Sequence, residues 1–170
     1  SFSNTKQADN YIKNVSLKEM TKEEAKSITE WTKGGQLVEI INGKLINSVN
    51  VPLEKHTIGI VNKYNKAFNK LPSYVGTVHR GISFSNQQEA INYIKNFKIG
   101  QTITKLAFTS TSISQEVALN FLRSNKAGFL FKIKSKNGKW LGELSDFQEE
   151  LEVLFKSGSM FKIKKIYVHI

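Results

Sequence analysis

Pro72 separates two kinds of apolar periodicity, and that change limits the folds open to the chain. Before it, Leu37, Ile40, Ile41 and Leu45 recur at three- and four-residue intervals, and Val61, Tyr64, Phe68 and Leu71 do the same further on. Such spacing gathers the side chains on one face of a helix. Proline has no amide hydrogen and clashes with the preceding turn, so the second of these helices ends there. Thr21 and Glu24 stand at capping-box spacing, which predicts a helix running to about Lys33, and Gly34 and Gly35 supply the stop and turn. A short helix is also expected around Asp9 to Lys13. Beyond Pro72, Phe129, Phe131 and Ile133 alternate with Leu130, Lys132 and Lys134, the period of a strand. Val153, Phe155, Phe161 and Ile163 continue that character, while 87–96 and 115–122 read as short helices. A change of parity around Lys164 and Lys165 predicts a β-bulge.

No internal repeat, low-complexity stretch or linker interrupts this layout. The expectation is one domain over 1–170, with a mainly helical half over 1–72 and a strand-rich half over 73–170. Ser1 is not followed by a basic and then apolar signal segment, so an export signal is expected to have been removed or not attached to this piece. No apolar run approaches membrane-spanning length, and membrane insertion is not expected. The chain has no cysteine, which excludes disulfides, thiolate metal sites and a cysteine nucleophile. His56, His79 and His169 are scattered without metal-ligand spacing, so no metal is expected.

The formal net charge is +11. The lysines are spread along the whole chain rather than blocked, which favours a solvated basic surface, with an acidic protein partner next and nucleic acid a poor third. Arg80 and Arg123 are the two arginines, and so few draw attention to each.

Three separated features carry candidate chemistry. They are His79-Arg80-Gly81, the run Phe108-Thr109-Ser110-Thr111-Ser112, and Phe147-Gln148-Glu149-Glu150-Leu151-Glu152 leading into an apolar strand. Singly, each has an ordinary structural explanation: an ion pair, a turn, a solvated acidic cluster. Together they describe one site. An extended backbone would project Glu150 and Glu152 from the same face into one cleft. One carboxylate could then hold a sugar hydroxyl and stabilise positive charge at an anomeric carbon, while the other orients or deprotonates a nucleophile. Arginine suits a pyrophosphate, because its planar fork donates two parallel hydrogen bonds. Hydroxyls of the Ser-Thr-Ser run could fix the glutamate rotamer.

These motifs, in order and spacing, resemble the arginine, Ser-Thr-Ser, Glu-x-Glu class of mono-ADP-ribosyltransferases, particularly the catalytic domains of bacterial actin-modifying binary toxins. Phe108, Ser110, Thr111 and Ser112 meet that family's Phe-x-Ser-Thr-Ser pattern. Phe121, nine residues after Ser112, stands where the family carries an aromatic against nicotinamide. Phe147, Glu150 and Glu152 meet its target-recognition loop. The stretch from Met20 to Gly34-Gly35, with Asn42 and Leu45 beyond, looks like its N-terminal half. Departures are Gln36 and Leu37, where the family often has an aromatic, and Arg123, which only approximates a second phosphate-binding arginine.

The resemblance implies an α+β fold in which N-terminal helices pack on two mostly antiparallel β-sheets around a cleft for NAD, the co-substrate. It implies catalytic roles for Arg80, Ser110, Glu150 and Glu152, NAD contacts from Arg80, Gly81, Ser110, Thr111, Ser112, Phe121, Arg123 and Asn42, and substrate recognition by Phe147, Gln148 and Glu150. The implied reaction transfers ADP-ribose to an arginine of a target protein, actin or another host protein. The enzyme would be secreted or injected, act in the target-cell cytosol, and need a delivery component or a larger parent chain. Three alternatives stay open: an NAD glycohydrolase using water, an asparagine-modifying relative, which would usually carry glutamine in place of Glu150, and a catalytically silent basic binding module.

Overall fold

The structure is a computed structural model and describes residues 1–122, 127–164 and Ile166. The N-terminal half is helical. Helix α1 (Thr5–Tyr11) runs through a π-helical stretch (Ile12–Ser16) into one short turn, α2 (Leu17–Glu19), so the helical segment is longer at both ends than the short helix expected around Asp9 to Lys13. In α3 (Lys22–Thr32) both capping-box bonds form: Glu24 N–H donates to Thr21 Oγ1 at 3.1 Å, and Thr21 N–H donates to Glu24 Oε1 at 3.0 Å. Gly34 and Gly35 follow at φ 69° and 86°, a backbone that glycine adopts without the steric cost other residues bear. They turn the chain into α4 (Gln36–Ile46). Of its four apolar markers Ile41 and Leu45 are buried, whereas Leu37 and Ile40 are exposed. Helix α5 (Lys55–Asn69) then ends just before Pro72.

Among the described residues the second half holds six strands: β1 (Ser73–Phe84), β2 (Thr102–Lys105), β3 (Thr109–Ser112), β4 (Ala127–Trp140), β5 (Glu152–Phe155) and β6 (Ser159–Lys162). Two short helices lie among them, α6 (Gln87–Ile94) and α7 (Gln115–Asn120). All strand pairs are antiparallel, and they form two sheets. One is the ribbon β2–β6; the other closes on itself in the order β1-β3-β5-β4. The sides of this ring are unequal. Strands β1 and β4 run together from Ser73–Lys139 to Phe84–Ala127, and β3 and β5 pair along their whole length. Among the described residues β1 meets β3 only at His79–Ser112, and β4 meets β5 only at Lys139–Leu154 and Trp140–Val153. A register shift occurs between Tyr74 and Gly76. The slip expected at Lys164 and Lys165 extends to residues outside those described.

One buried cluster joins helices and strands. Trp31 of α3 lies 4.8 Å, ring to ring, from both Tyr64 of α5 and Phe108 just before β3, and Phe68 is 5.7 Å from Phe108. Phe68 is wholly buried. Truncating such a side chain costs about 3–5 kcal/mol through lost transfer energy and the cavity left behind. Polar ties fix the orientation: Trp140 Nε1 donates to Asp9 Oδ1 at 2.8 Å, and Thr29 Oγ1 donates to the Leu144 carbonyl at 2.7 Å. Among the described residues no helix is long and apolar enough to cross a membrane.

Candidate active site

A cleft of about 550 Å³ opens where β1 and β3 part, a volume in the range of small-ligand sites. Its wall includes Arg80 and Gly81 of β1, Ser110, Thr111 and Ser112 of β3, Ala118 and Phe121 at α7, and Glu150. The three motifs are therefore brought together. Gly34, Gly35, Val38 and Glu39 line the same cleft from the α3–α4 turn, as does His79. The α3–α4 contribution was not foreseen as part of a site; the glycine pair was its only trace in the sequence.

Each hydroxyl of the Ser-Thr-Ser run has its own task. Ser110 Oγ donates to Glu152 Oε2 at 2.7 Å, Thr111 Oγ1 to the Val153 carbonyl at 2.6 Å, and Ser112 Oγ to the Glu150 carbonyl at 2.6 Å. Ser112 Oγ also accepts from Ser114 N–H at 3.0 Å, and Ser114 in turn caps α7. The run thus ties one carboxylate, the strand carrying it and the preceding acidic turn to β3. Arg80 donates from one guanidinium nitrogen to the Ser110 carbonyl at 2.7 Å. Its other donors make no hydrogen bond to the described residues.

Glu150 and Glu152 do not lie on one extended segment. Glu150 ends a 3₁₀ turn (Gln148–Glu150), Leu151 adopts the left-handed conformation at φ 48° and ψ 53°, and only Glu152 belongs to β5. A side chain at positive φ crowds its own backbone, at a cost of about 1–2 kcal/mol. Here Ile113 N–H holds the Leu151 carbonyl at 3.1 Å. The carboxylates reach a common region through this kink rather than through strand alternation. Glu152 is 8% exposed, and burial pushes its carboxyl up to about 7, with the Ser110 hydrogen bond opposing, Glu150 adding to the rise and Arg80 opposing it. Glu150 is also raised, by burial and then by Glu149. Burial lowers the Arg80 guanidinium, while Tyr93 and Glu152 favour its charge.

Gly81 lets α7 lie directly on β1. A Cβ there would come within 2.3 Å of the Ala118 carbonyl oxygen, far inside contact distance. Phe121 follows the end of α7 and is 59% exposed, so it is a wall of the cleft rather than a core residue. Phe147 is also exposed, in the turn before Glu150. Gln148 begins that turn and does not line the cleft. Asn42 stands away from the lining as well: its Oδ1 accepts from Phe108 N–H at 3.0 Å and so anchors the entry to β3. Arg123 lies outside the described residues.

A closed antiparallel ring flanked by helices thus places the arginine, the Ser-Thr-Ser run and Glu150 around one cleft, with Glu152 held against Ser110. The chain belongs to the ADP-ribosyltransferase exoenzyme family, whose model matches residues 4–169. It is 33% identical over 103 residues to Mav of Mycobacterium avium (strain 104), named as an NAD(+)–arginine ADP-ribosyltransferase; the match covers 61% of this chain and 12% of that protein. It is 34% identical over 107 residues to Vis of Vibrio splendidus (strain 12B01), which bears the same functional name, over 59% of this chain and 41% of Vis. The chain thus matches well under two thirds of either relative. The crystal structure of Vis in complex with agmatine superposes with a TM-score of 0.71 at 24% identity, covering 97% of this chain and 79% of that one. Plx2a, an ADP-ribosyltransferase toxin from Paenibacillus larvae, superposes at 0.61 and 19% identity, covering 91% and 84%. These structural likenesses concern the fold.

Proposed function

We propose that the chain cleaves NAD and transfers its ADP-ribose to an arginine side chain of another protein, releasing nicotinamide. The observation that supports this most is the buried Glu152 carboxylate, held by Ser110 at 2.7 Å and electrostatically coupled to both Glu150 and Arg80. Such a charge, fixed before substrate arrives, stabilises a developing cation without reorganising. Arg80 uses one donor on Ser110 and keeps the rest of its fork for the pyrophosphate. Glu152 keeps Oε1 for a hydroxyl of the nicotinamide ribose. As the bond from the anomeric carbon to the nicotinamide nitrogen breaks, its electron pair leaves with nicotinamide, and the sugar gains oxocarbenium character opposite Glu152. A guanidinium nitrogen of the acceptor bonds to that carbon and gives its proton to Glu150.

Phe121 is assigned to the nicotinamide side of the cleft and Phe147 and Gln148 to the acceptor side. Thr111, Ser112 and Asn42 act by holding the strands that carry the contacts. Arg123 is kept as a candidate NAD contact. The acceptor is a host protein, actin included, reached in the target-cell cytosol after secretion or injection through a delivery component or a larger parent chain. The names of Mav and Vis as arginine-specific transferases support the acceptor type, and the toxin Plx2a supports the setting.

The deciding experiment incubates the chain with labelled NAD and agmatine, a small guanidine. Labelled agmatine with release of nicotinamide is expected. Nicotinamide release without labelling of agmatine or protein would make the chain a glycohydrolase, and no cleavage at all would make it a binding module.

A further inference from the structure

The outer face of the β1–β4 ribbon beside the cleft carries a row of lysines that the proposed reaction does not use. Lys132, Lys134 and Lys136 alternate along β4 and are all exposed. Register places Lys132 opposite His79 and Lys134 opposite Thr77 on β1. Residues directly opposite in a ladder share a face, and His79 lines the cleft. The row therefore starts beside the cleft and leads away from it, Lys132 and Lys134 standing roughly 7 Å apart, two residues of strand rise, with Lys136 next along β4 where the register shifts. Lys132 is close enough for its charge to add to the burial that lowers His79.

Among the described residues no ion pair neutralises this row. The ion pairs among the described residues are Lys26–Glu30 and Lys70–Glu24, both in the helical half. The face is open too. Helix α7 covers the far end of the ribbon, where a Cβ on Gly81 or Gly128 would strike Ala118 or Leu122. Beyond His79 the ribbon presents Thr77, the 39% exposed Val75 and the three lysines. Lysine on an unpaired strand edge discourages edge-to-edge pairing, and among the described residues β4 pairs from Ala127 to Asn137 with β1 alone. Edge protection alone, however, does not require the row to begin at the cleft or to go without an ion pair among the described residues.

We propose that this lysine row is a docking track for an acidic segment of the acceptor protein, lying alongside the arginine presented to Glu150. The inference rests on the arginine-acceptor reading and narrows it to arginines with carboxylates nearby. Charge complementarity carries the choice of partner: three exposed lysines, none in an ion pair among the described residues, on a chain of net charge +11 favour a surface with glutamates or aspartates at similar spacing. A nucleic acid is the less suitable occupant, because Glu150 lines the cleft at which the row begins and none of the exposed residues named on this face offers an aromatic ring for base stacking.

The test uses synthetic fluorescent peptides containing one arginine and, on one side or the other, three glutamates at alternating positions or three serines. Binding to the chain in the presence of NAD is read by anisotropy at low and at about physiological ionic strength, where screening falls within roughly 8 Å. With the glutamates on one of the two sides, the peptide should bind about 5–10-fold more tightly than the serine peptide, as expected for a few exposed ion pairs, and the preference should shrink with salt. It should vanish in Lys132→Gln/Lys134→Gln/Lys136→Gln and reverse in the corresponding triple Glu variant, while agmatine labelling, KM for NAD and melting temperature stay as in the native chain. Equal binding of both peptides in either order, or a preference that survives the triple substitution, would overturn the proposal. So would a raised KM for NAD in the triple Gln variant, which would assign the row to the dinucleotide. Lysine-dependent binding of a single-stranded oligonucleotide tighter than that of the glutamate peptide would also overturn it. Agmatine labelling reports separately on the acceptor reading, since peptide binding is measured whether or not transfer occurs.

Discussion

Ser112 Oγ donates to the Glu150 carbonyl oxygen at 2.6 Å while accepting from Ser114 N–H at 3.0 Å, so one hydroxyl joins the acidic turn to the start of α7. Ser112→Ala leaves both groups without this partner, at a cost of about 1–2 kcal/mol. Transfer to agmatine should fall more than NAD hydrolysis, because the Glu150 turn loses its support while Ser110 still holds Glu152. Equal losses in the two assays would detach Ser112 from the positioning of Glu150.

The two carboxylates are expected to separate cleanly. Glu150→Gln should abolish arginine labelling and leave much of the slow hydrolysis, since a protonated guanidinium needs a base and water needs less help. Glu152→Gln should suppress both by on the order of 10²-fold or more. Parallel measurements of nicotinamide release and acceptor labelling decide between this division and a shared role.

The Glu152 carboxyl, at about 7 in the fold, titrates well above the 4.5 of an unperturbed glutamate. The folded state therefore holds its proton more tightly than the unfolded chain does. Stability contributed by that proton declines as pH rises from about 4.5 and is fully lost above about 7, at roughly 3 kcal/mol. Two outcomes are expected. Nicotinamide release at limiting NAD should climb between pH 6 and 8 as Glu152 ionises, and Glu152→Gln should raise the melting temperature more at pH 8 than at pH 5. A flat pH–rate profile across this window would mean that bound NAD or Arg80 keeps the carboxylate charged throughout.

Gly81→Ala should be damaging although the change is small, because its methyl would meet the Ala118 carbonyl at 2.3 Å, an atom that cannot swing aside. Helix α7 must lift from β1, with a loss of about 1–3 kcal/mol in stability. Phe121 would move with it. Thermal melts and NAD titration should both register the change.

Arg80→Lys keeps the charge but replaces the planar fork with a point donor. NAD affinity should fall by about 10-fold or more, and the bond to the Ser110 carbonyl should be lost or weakened. Unchanged affinity in calorimetry would remove Arg80 from the pyrophosphate.

The parts legible in the sequence were those whose signals are local. The Thr21–Glu24 box, the stop at Gly34-Gly35 and the end of α5 before Pro72 each depend on a few neighbouring residues, and each formed as read. The gathering of Arg80, Ser110 and Glu150 around one cleft could be anticipated because three motifs matched a known pattern together. Strand closure could not be read: β1 and β4 pair Ser73 with Lys139, and nothing near either residue encodes that partner. The kink at Leu151 was hidden because leucine carries no preference for the left-handed region, so the alternation Glu-x-Glu read as straight strand. Asn42 was read as an NAD contact from its position in the pattern, but its hydrogen bond to Phe108 depends on tertiary packing.

The unequal sides of the strand ring have a mechanical meaning. Arg80 rides on the long β1–β4 ribbon, while Ser110 and Glu152 ride on the β3–β5 pair. The two units are stitched along thin seams, at His79–Ser112 on one side and at Lys139–Leu154 and Trp140–Val153 on the other. Within each unit the spacing of the groups is set by a continuous ladder. Between the units it is set by very few ladder bonds and by the Arg80 bond to the Ser110 carbonyl, which acts as a latch across the first seam. The separation of the Arg80 guanidinium from the buried Glu152 carboxylate is therefore a spacing that no continuous ladder fixes, and in the proposed reaction it is the spacing that NAD spans.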